Sequence, residues 1–252
     1  MRGLPLPRLQ ILLDTPDLVA IQKPAGLATI PGRGETTSAL EQLGAQIGLP
    51  SSGTSDPRVR VVHRLDKDTS GVLLFAKHTA AQRHLSHQFQ NNTVQKEYLA
   101  LVAGRPSEDE GQIDARLAPN PKNPKQMAVS KHGRPAFTLW RIEQRFRAHT
   151  LLRVFPRTGK THQIRVHLKH AGMPLAVDPL YNPGAPPLLL SSFKRDYRPT
   201  RAEAERPLIA RLTLHAEKLR FKDLANAEVE IVAPLPKDFR AAVNQLAKLV
   251  GR

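Results

Sequence analysis

Val62-His63-Arg64-Leu65-Asp66-Lys67-Asp68-Thr69-Ser70-Gly71 places a carboxylate between cations and runs directly into the apolar stretch Val72-Leu73-Leu74-Phe75-Ala76. Val59, Val61 and Leu65 on one side, and Val72 to Ala76 on the other, have the character of two short strands, so Asp66 to Gly71 is expected to be the turn between them. A turn presents its side chains to a cleft. Arg64 and Lys67 flank Asp66 and favour its ionised form, because a nearby cation stabilises a carboxylate's charge. An ionised Asp can act as a nucleophile or base. The same residues also suit an Asx-type turn, in which Asp66, Asp68, Thr69 and Ser70 only bond backbone N–H groups.

Upstream of this stretch, Leu9, Ile11 and Leu13 alternate, Asp14-Thr15-Pro16-Asp17 turns the chain, and Leu18-Val19-Ala20-Ile21 is a second apolar run, together predicting strand-turn-strand. Pro31-Gly32-Arg33-Gly34 is expected as a loop: Thr37 stands where a dinucleotide fingerprint needs its third Gly. Thr37 or Ser38 is placed to cap a helix through Ile47, and Leu49 to Asp56 has the composition of a linker. Downstream, Thr79 to Gln90 is expected as a helix capped by Thr79. His84 and His87 share one of its faces, but no third metal ligand accompanies them. Val94 to Val102 alternates as a strand, with Lys96 and Tyr98 on one face. Residues 105–135 are rich in Pro, Lys, Asn and Gly and are expected as a long basic loop holding one short strand, Ile113 to Leu117. Ala136 to Phe146 and Thr150 to Phe155 form an expected strand pair with Trp140 in the core. Thr158 to Gly172 is expected as a helix, capped by Thr158 or Thr161, with Arg165 one turn in from its positive end. Gly159-Lys160-Thr161 does not make a phosphate loop, because Val154 stands where the first Gly would be. Residues 183–207 resemble a Pro-rich insertion. Leu208 to Leu214 and Val229 to Val232 are expected as strands, and Asp238 to Val250 as a closing helix with Phe239, Val243, Leu246 and Val250 inside.

At 252 residues the chain can bury a sizeable core. It holds no Cys, which excludes a disulfide framework, a thiolate zinc site and a Cys nucleophile, and fits a reducing compartment. No run reaches transmembrane length and no secretory leader is evident, so a cytoplasmic location is expected, with no membrane partner. The formal charge of +16 points to a polyanion. Residues 145–177 carry Arg145, Arg147, Arg153, Arg157, Lys160, Arg165 and Lys169 with no acid among them, the first candidate for a phosphate-facing surface.

The central stretch resembles the signature of the RluA-type pseudouridine synthases, His-Arg-Leu-Asp followed by Thr-Ser-Gly. Further blocks occur in that family's order: Lys23-Pro24-Ala25-Gly26-Leu27, Lys96-Glu97-Tyr98-Leu99-Ala100-Leu101-Val102, Arg134 to Thr138, Thr158 to His167, Asp178 to Tyr181, and Leu214-His215-Ala216. The resemblance implies that Asp66 is the catalytic residue, that Tyr98 lies beside the target base, and that Arg165 pairs with Asp66. It also implies that Arg64 fills the stack vacated by the target, with His63, Lys96, Lys160 and His162 as further RNA-facing or base-flipping residues. Lys160 departs from the family's usual Arg, and Val177 from the Gly before Asp178. A Lys keeps charge without the bidentate fork.

The expected fold is α+β: a mixed, largely antiparallel central sheet with flanking helices, long basic loops and a central active-site cleft. Residues 1–252 are expected to form one catalytic domain, or two subdomains around the cleft, without a separate N-terminal RNA-binding module. The expected activity is isomerisation of uridine to pseudouridine in ribosomal or transfer RNA by a monomer, needing no metal, nucleotide or other cofactor. Two alternatives belong to other classes. A base-excising glycosylase would use two carboxylates, such as Asp66 and Asp68, and release free uracil. A non-catalytic RNA-binding assembly factor would bind in a salt-sensitive way without needing Asp66.

Overall fold

The computed structural model describes residues 8–32, 37–194, 197 and 205–248. Arg33, Gly34, much of the 195–204 stretch and Val250 therefore lie outside the described residues. The architecture is α+β with mostly antiparallel strands, and the chain divides into two compact units. One contains the described residues up to Lys96 together with Ala216–Pro234, and the other contains Glu97–His215 and the described residues from Leu235.

In the first unit, β1 (Gln10–Asp14) and β2 (Leu18–Lys23) form the expected antiparallel pair, with a register shift between Ile11 and Leu13. Helix α1 (Ala39–Ile47) begins at Ser38, whose hydroxyl accepts from Glu41 N–H and donates to the Glu41 carboxylate. It stops at Gly48, whose φ of 69° suits a residue without Cβ. β3 (Arg60–Val61) has only two residues and pairs with β4 (Ser70–Ala76), so the expected strand pair exists but its connector begins at Val62. β4 is buried along its whole length because β2 flanks it and the unit's hydrophobic core packs on it. Helix α2 (Thr79–Gln90) is capped by His78 rather than Thr79. The His78 Nδ1 accepts from Ala81 N–H while Nε2 meets Asp17 at 2.8 Å, so the imidazole does the work expected of the hydroxyl.

β5 (Gln95–Ala103) carries the chain into the second unit. β6 (Glu110–Asp114) follows, and then β7 (Leu117–Asn120) and β8 (Asn123–Val129) form a separate antiparallel hairpin where a long loop was expected. Its tip is shaped by Asx turns, Asn120 Oδ1 accepting from Lys122 N–H and Asn123 Oδ1 from Lys125 N–H. The prolines that argued for a loop are tolerated because, among the described residues, no third strand of the ribbon's sheet lies beside Pro119 or Pro124 to require their N–H. β9 (Phe137–Arg145) and β10 (His149–Pro156) pair as expected, giving the order β5-β10-β9-β6. Trp140 is buried with Val154, Leu152 and Leu168. Helix α3 (Gln163–His170) is shorter than expected. Its start is fixed by the buried Gln163 amide, which accepts from Thr158 Oγ1 and Lys160 N–H and donates to Phe137 O and Thr138 Oγ1.

Residues 208–213 are not a strand: Ile209 and Leu212 are buried in two hydrophobic clusters, and the regular ladder begins only with β11 (Leu214–Lys222). β11 returns the chain to the first unit, where the order is β1-β2-β4-β11, and β12 (Glu228–Val232) pairs with β11. Gly71 shows how closely β4 and β11 approach. A Cβ there would lie 2.1 Å from Ala216 O, and its φ of 127° also excludes ordinary side chains. Helix α4 (Lys237–Lys248) buries Phe239, Ala242, Val243 and Leu246 in the second unit.

Candidate active site

Asp66 opens a β-turn closed by a hydrogen bond from Thr69 N–H to Asp66 O at 3.1 Å. Its two neighbours are both anchored. On the N-terminal side, Thr29 Oγ1 donates to Leu65 O at 2.9 Å and accepts from Leu65 N–H at 3.2 Å, so one hydroxyl satisfies both polar groups of that residue. On the C-terminal side, Lys67 O accepts from Gly26 N–H at 2.9 Å and from Lys23 Nζ at 2.8 Å. The Lys23 ammonium is fully buried and also donates to Pro24 O and Leu27 O, each at 2.8 Å. Carbonyl partners are what allow a buried ammonium to remain in place. The Asp66 side chain stands half-buried between these anchors, with Arg64, Lys67 and Asp68 exposed around it.

His63 points inward. Its Nε2 accepts from Leu74 N–H at 3.0 Å, just beyond the two-residue β3 ladder, so an imidazole continues the edge pairing of β4. The ring stacks on Phe89 with centroids 4.5 Å apart. Burial, assisted by the Lys96 charge, lowers its pKa to about 3, so His63 is neutral at physiological pH. Its position makes it a brace for the Asp66 segment.

Lys96 is the last residue of the first unit's opening segment, and the second unit holds Tyr98, Lys160, His162 and Arg165. Tyr98 is half-buried on β5 and packs against the cluster that includes Ile164 and Leu168 of α3. Arg165, in the first turn of that helix, is buried and makes a bidentate pair with Asp178, Nε to Oδ2 and Nη2 to Oδ1, both at 2.8 Å. Asp178 Oδ1 also accepts from Leu180 and Tyr181 N–H. The guanidinium lies over the Tyr181 ring, 4.9 Å from its centroid. The Tyr181 hydroxyl accepts from Met127 N–H of the hairpin and meets His162 Nδ1, both at 2.8 Å. His162 adopts a left-handed conformation (φ 54°) at the start of α3, a strained position for a non-glycine residue that these bonds help to hold. Lys160 is half-buried beside this start.

Sequence reasoning missed Lys23, Thr29, Asp178 and Tyr181 as supports. Asp178 had a signal, being the first acid after the acid-free run. That run is not a uniform phosphate surface. Arg145 pairs with Asp109, Arg153 with both Glu97 and Glu143, and Arg165 with Asp178, because the fold brings acids from elsewhere. Arg147, Arg157 and Lys169 remain exposed. His84 on α2 contacts Lys222 O and Gln88, and among the described residues no three acidic or imidazole side chains gather to hold a metal. No helix among the described residues is long and apolar enough to cross a membrane.

The family model for RNA pseudouridylate synthase matches residues 17–170, which include the Asp66 turn, Tyr98 and Arg165. The chain belongs to this family. A pseudouridine synthase is an isomerase that modifies RNA. The chain is 39% identical over 242 residues to the ribosomal large subunit pseudouridine synthase D of Nitrosomonas europaea, covering 96% of this chain and 66% of the relative. It is 36% identical over 244 residues to the protein of the same name from Haemophilus ducreyi, covering 94% and 70%. The chain thus spans about two thirds of the length of these relatives. Among solved structures, human RNA pseudouridylate synthase domain containing 4 matches with a TM-score of 0.71 and 25% identity over 94% of this chain and 93% of that one.

Proposed function

We propose that this synthase converts uridine to pseudouridine in the RNA of the large ribosomal subunit, with Asp66 as the catalytic carboxylate. The carrying observation is the Asp66 turn, in which a half-buried carboxylate sits between two residues whose peptide groups are anchored on both sides. Such fixing is what a group needs to meet a reacting atom in a defined geometry. The names of the relatives support the ribosomal substrate, and transfer RNA is the second candidate.

The reaction breaks the N1–C1′ bond, turns the uracil and forms C5–C1′, moving the C5 proton off and leaving N1 protonated. Atoms and oxidation state are conserved, so no redox partner or group donor enters the balance. A stacked base must first leave its stack, at a cost of a few kcal/mol. Arg64, exposed two residues before Asp66, is the residue proposed to occupy the vacated space. Asp66 acts on the sugar or the uracil as nucleophile or base. Arg165 is its proposed cationic partner in the reaction, and Tyr98 the proposed contact to the turned base. Lys96, Lys160 and His162 are proposed to face RNA. Residues 115–135 add Arg116, Lys122, Lys125, Lys131 and Arg134 without an acid, and all five are exposed, which makes this stretch, hairpin included, the favoured phosphate-facing element. The proposed setting is the cytoplasm, with the protein acting as a monomer.

The test is tritium release from unmodified RNA labelled at uridine C5, by wild type and Asp66→Asn. Release by wild type alone, without free uracil, is the expected result. Free uracil would identify a glycosylase. Binding by both forms with no release from any RNA pool would identify an assembly factor.

A further inference from the structure

We infer that Thr29 is a positioning residue for the reaction, acting through the peptide groups of Leu65 to set where the Asp66 carboxylate stands. This rests on the catalytic role proposed for Asp66. Thr29 lies 36 residues upstream of Leu65, is buried to 4% exposure, and is the side chain that answers both the N–H and the C=O of Leu65. A strand neighbour would normally fill those two valences, but β3 has already ended at Val61. The hydroxyl thus replaces a ladder rung at the residue immediately before Asp66.

The clamp is itself fixed to a rigid element. Thr29 O accepts from Leu40 N–H at 3.1 Å and Ala28 O from Ala39 N–H at 2.8 Å, so residues 28 and 29 dock on the first turn of α1. That turn is closed by the Ser38–Glu41 cap. A continuous path of hydrogen bonds therefore leads from a capped helix through Thr29 to Leu65 and Asp66. Lys23 and Gly26 hold the other side at Lys67, so removing the hydroxyl removes the anchor on the Leu65 side of the turn. Small displacements of a reacting group matter: about 1 Å can cost on the order of a hundredfold in rate.

The experiment compares Thr29→Val, which keeps the shape and removes the hydroxyl, with Thr29→Ser, which keeps the hydroxyl. Wild type and Asp66→Asn are the references, and tritium release is measured over a range of RNA concentrations. Thr29→Val is expected to lower kcat by about tenfold or more with KM within about twofold, and Thr29→Ser to restore most of the rate. A loss that appears only in KM, equal impairment of both variants, or full activity of Thr29→Val while Asp66→Asn is inactive would overturn the role of Thr29. Release by Asp66→Asn would instead overturn the proposed function. A second measurement needs no variant: amide exchange in the folded wild-type protein should show Leu65 N–H protected, and fast exchange there would refute the clamp.

Discussion

The turn that carries Asp66 is held through its neighbours, whereas Arg165 is held through its own side chain. Thr29, Lys23 and Gly26 bond the peptide groups of Leu65 and Lys67. Arg165 instead commits Nε and Nη2 to Asp178 and lays its plane over Tyr181. The difference decides what a substitution removes. Changing Asp66 leaves those anchors intact, while changing Arg165 also dismantles part of the support around α3.

The largest expected effect follows from that asymmetry. Arg165→Met leaves the buried Asp178 carboxylate without its cation. It should destabilise the protein by about 3 kcal/mol in urea unfolding, the low end for a broken buried pair because two backbone donors remain. Lys23→Met takes the ammonium from three carbonyls and should cost about 2 kcal/mol by the same measurement, with tritium release falling as the turn loosens. Tyr181→Phe keeps the ring beneath Arg165 but removes the acceptor for Met127 N–H. A loss of about 1 kcal/mol is expected, together with faster amide exchange at Met127.

Near neutrality the smallest effect is the pH dependence, and it touches both regions. Burial holds His63 and His167 below the ordinary histidine value. His167 Nε2 donates to Ala115 O and Nδ1 accepts from Thr138, a chain suited to the neutral ring. A histidine whose pKa is lower folded than unfolded contributes stability that is complete above about pH 6.5 and declines as the pH falls below it. For His63 the decline runs down to about 3. Urea midpoints should therefore be flat above about pH 7 and fall on acidification, by up to about 1.4 kcal/mol per pH unit for each histidine. His63→Gln, which can still accept from Leu74 N–H, should flatten the acid side; an unchanged slope would show that His63 is not the source.

Much of this was legible in the chain. The alternation before the first turn, the apolar runs of β2 and β4 bounded by turn residues, and the paired β9 and β10 mark strands in the sequence, because a strand buried on both faces is apolar throughout. The hairpin did not, since Pro119, Pro121 and Pro124 give the same signal in a ribbon as in a loop. Ion pairing was also hidden: Arg153 finds Glu97 and Glu143 only after three strands are side by side. The proposed site residues Asp66, Tyr98 and Arg165 came from motif, but their supports carried no such signal. A Thr whose bond partner is 36 residues away leaves no local trace, and a fully buried Lys contradicts the usual preference of its type.

The prolines of the β7–β8 ribbon have one more effect. A two-stranded ribbon exposes two unpaired edges, and such edges invite strands from other molecules to add on. Pro119 and Pro124 lack the N–H such an addition would require at those positions, and Lys122 and Lys125 place like charges at the tip. The hairpin, docked on its unit through Met127 and Gln126, can therefore keep a charged tip exposed while its prolines and lysines disfavour edge-to-edge stacking of copies.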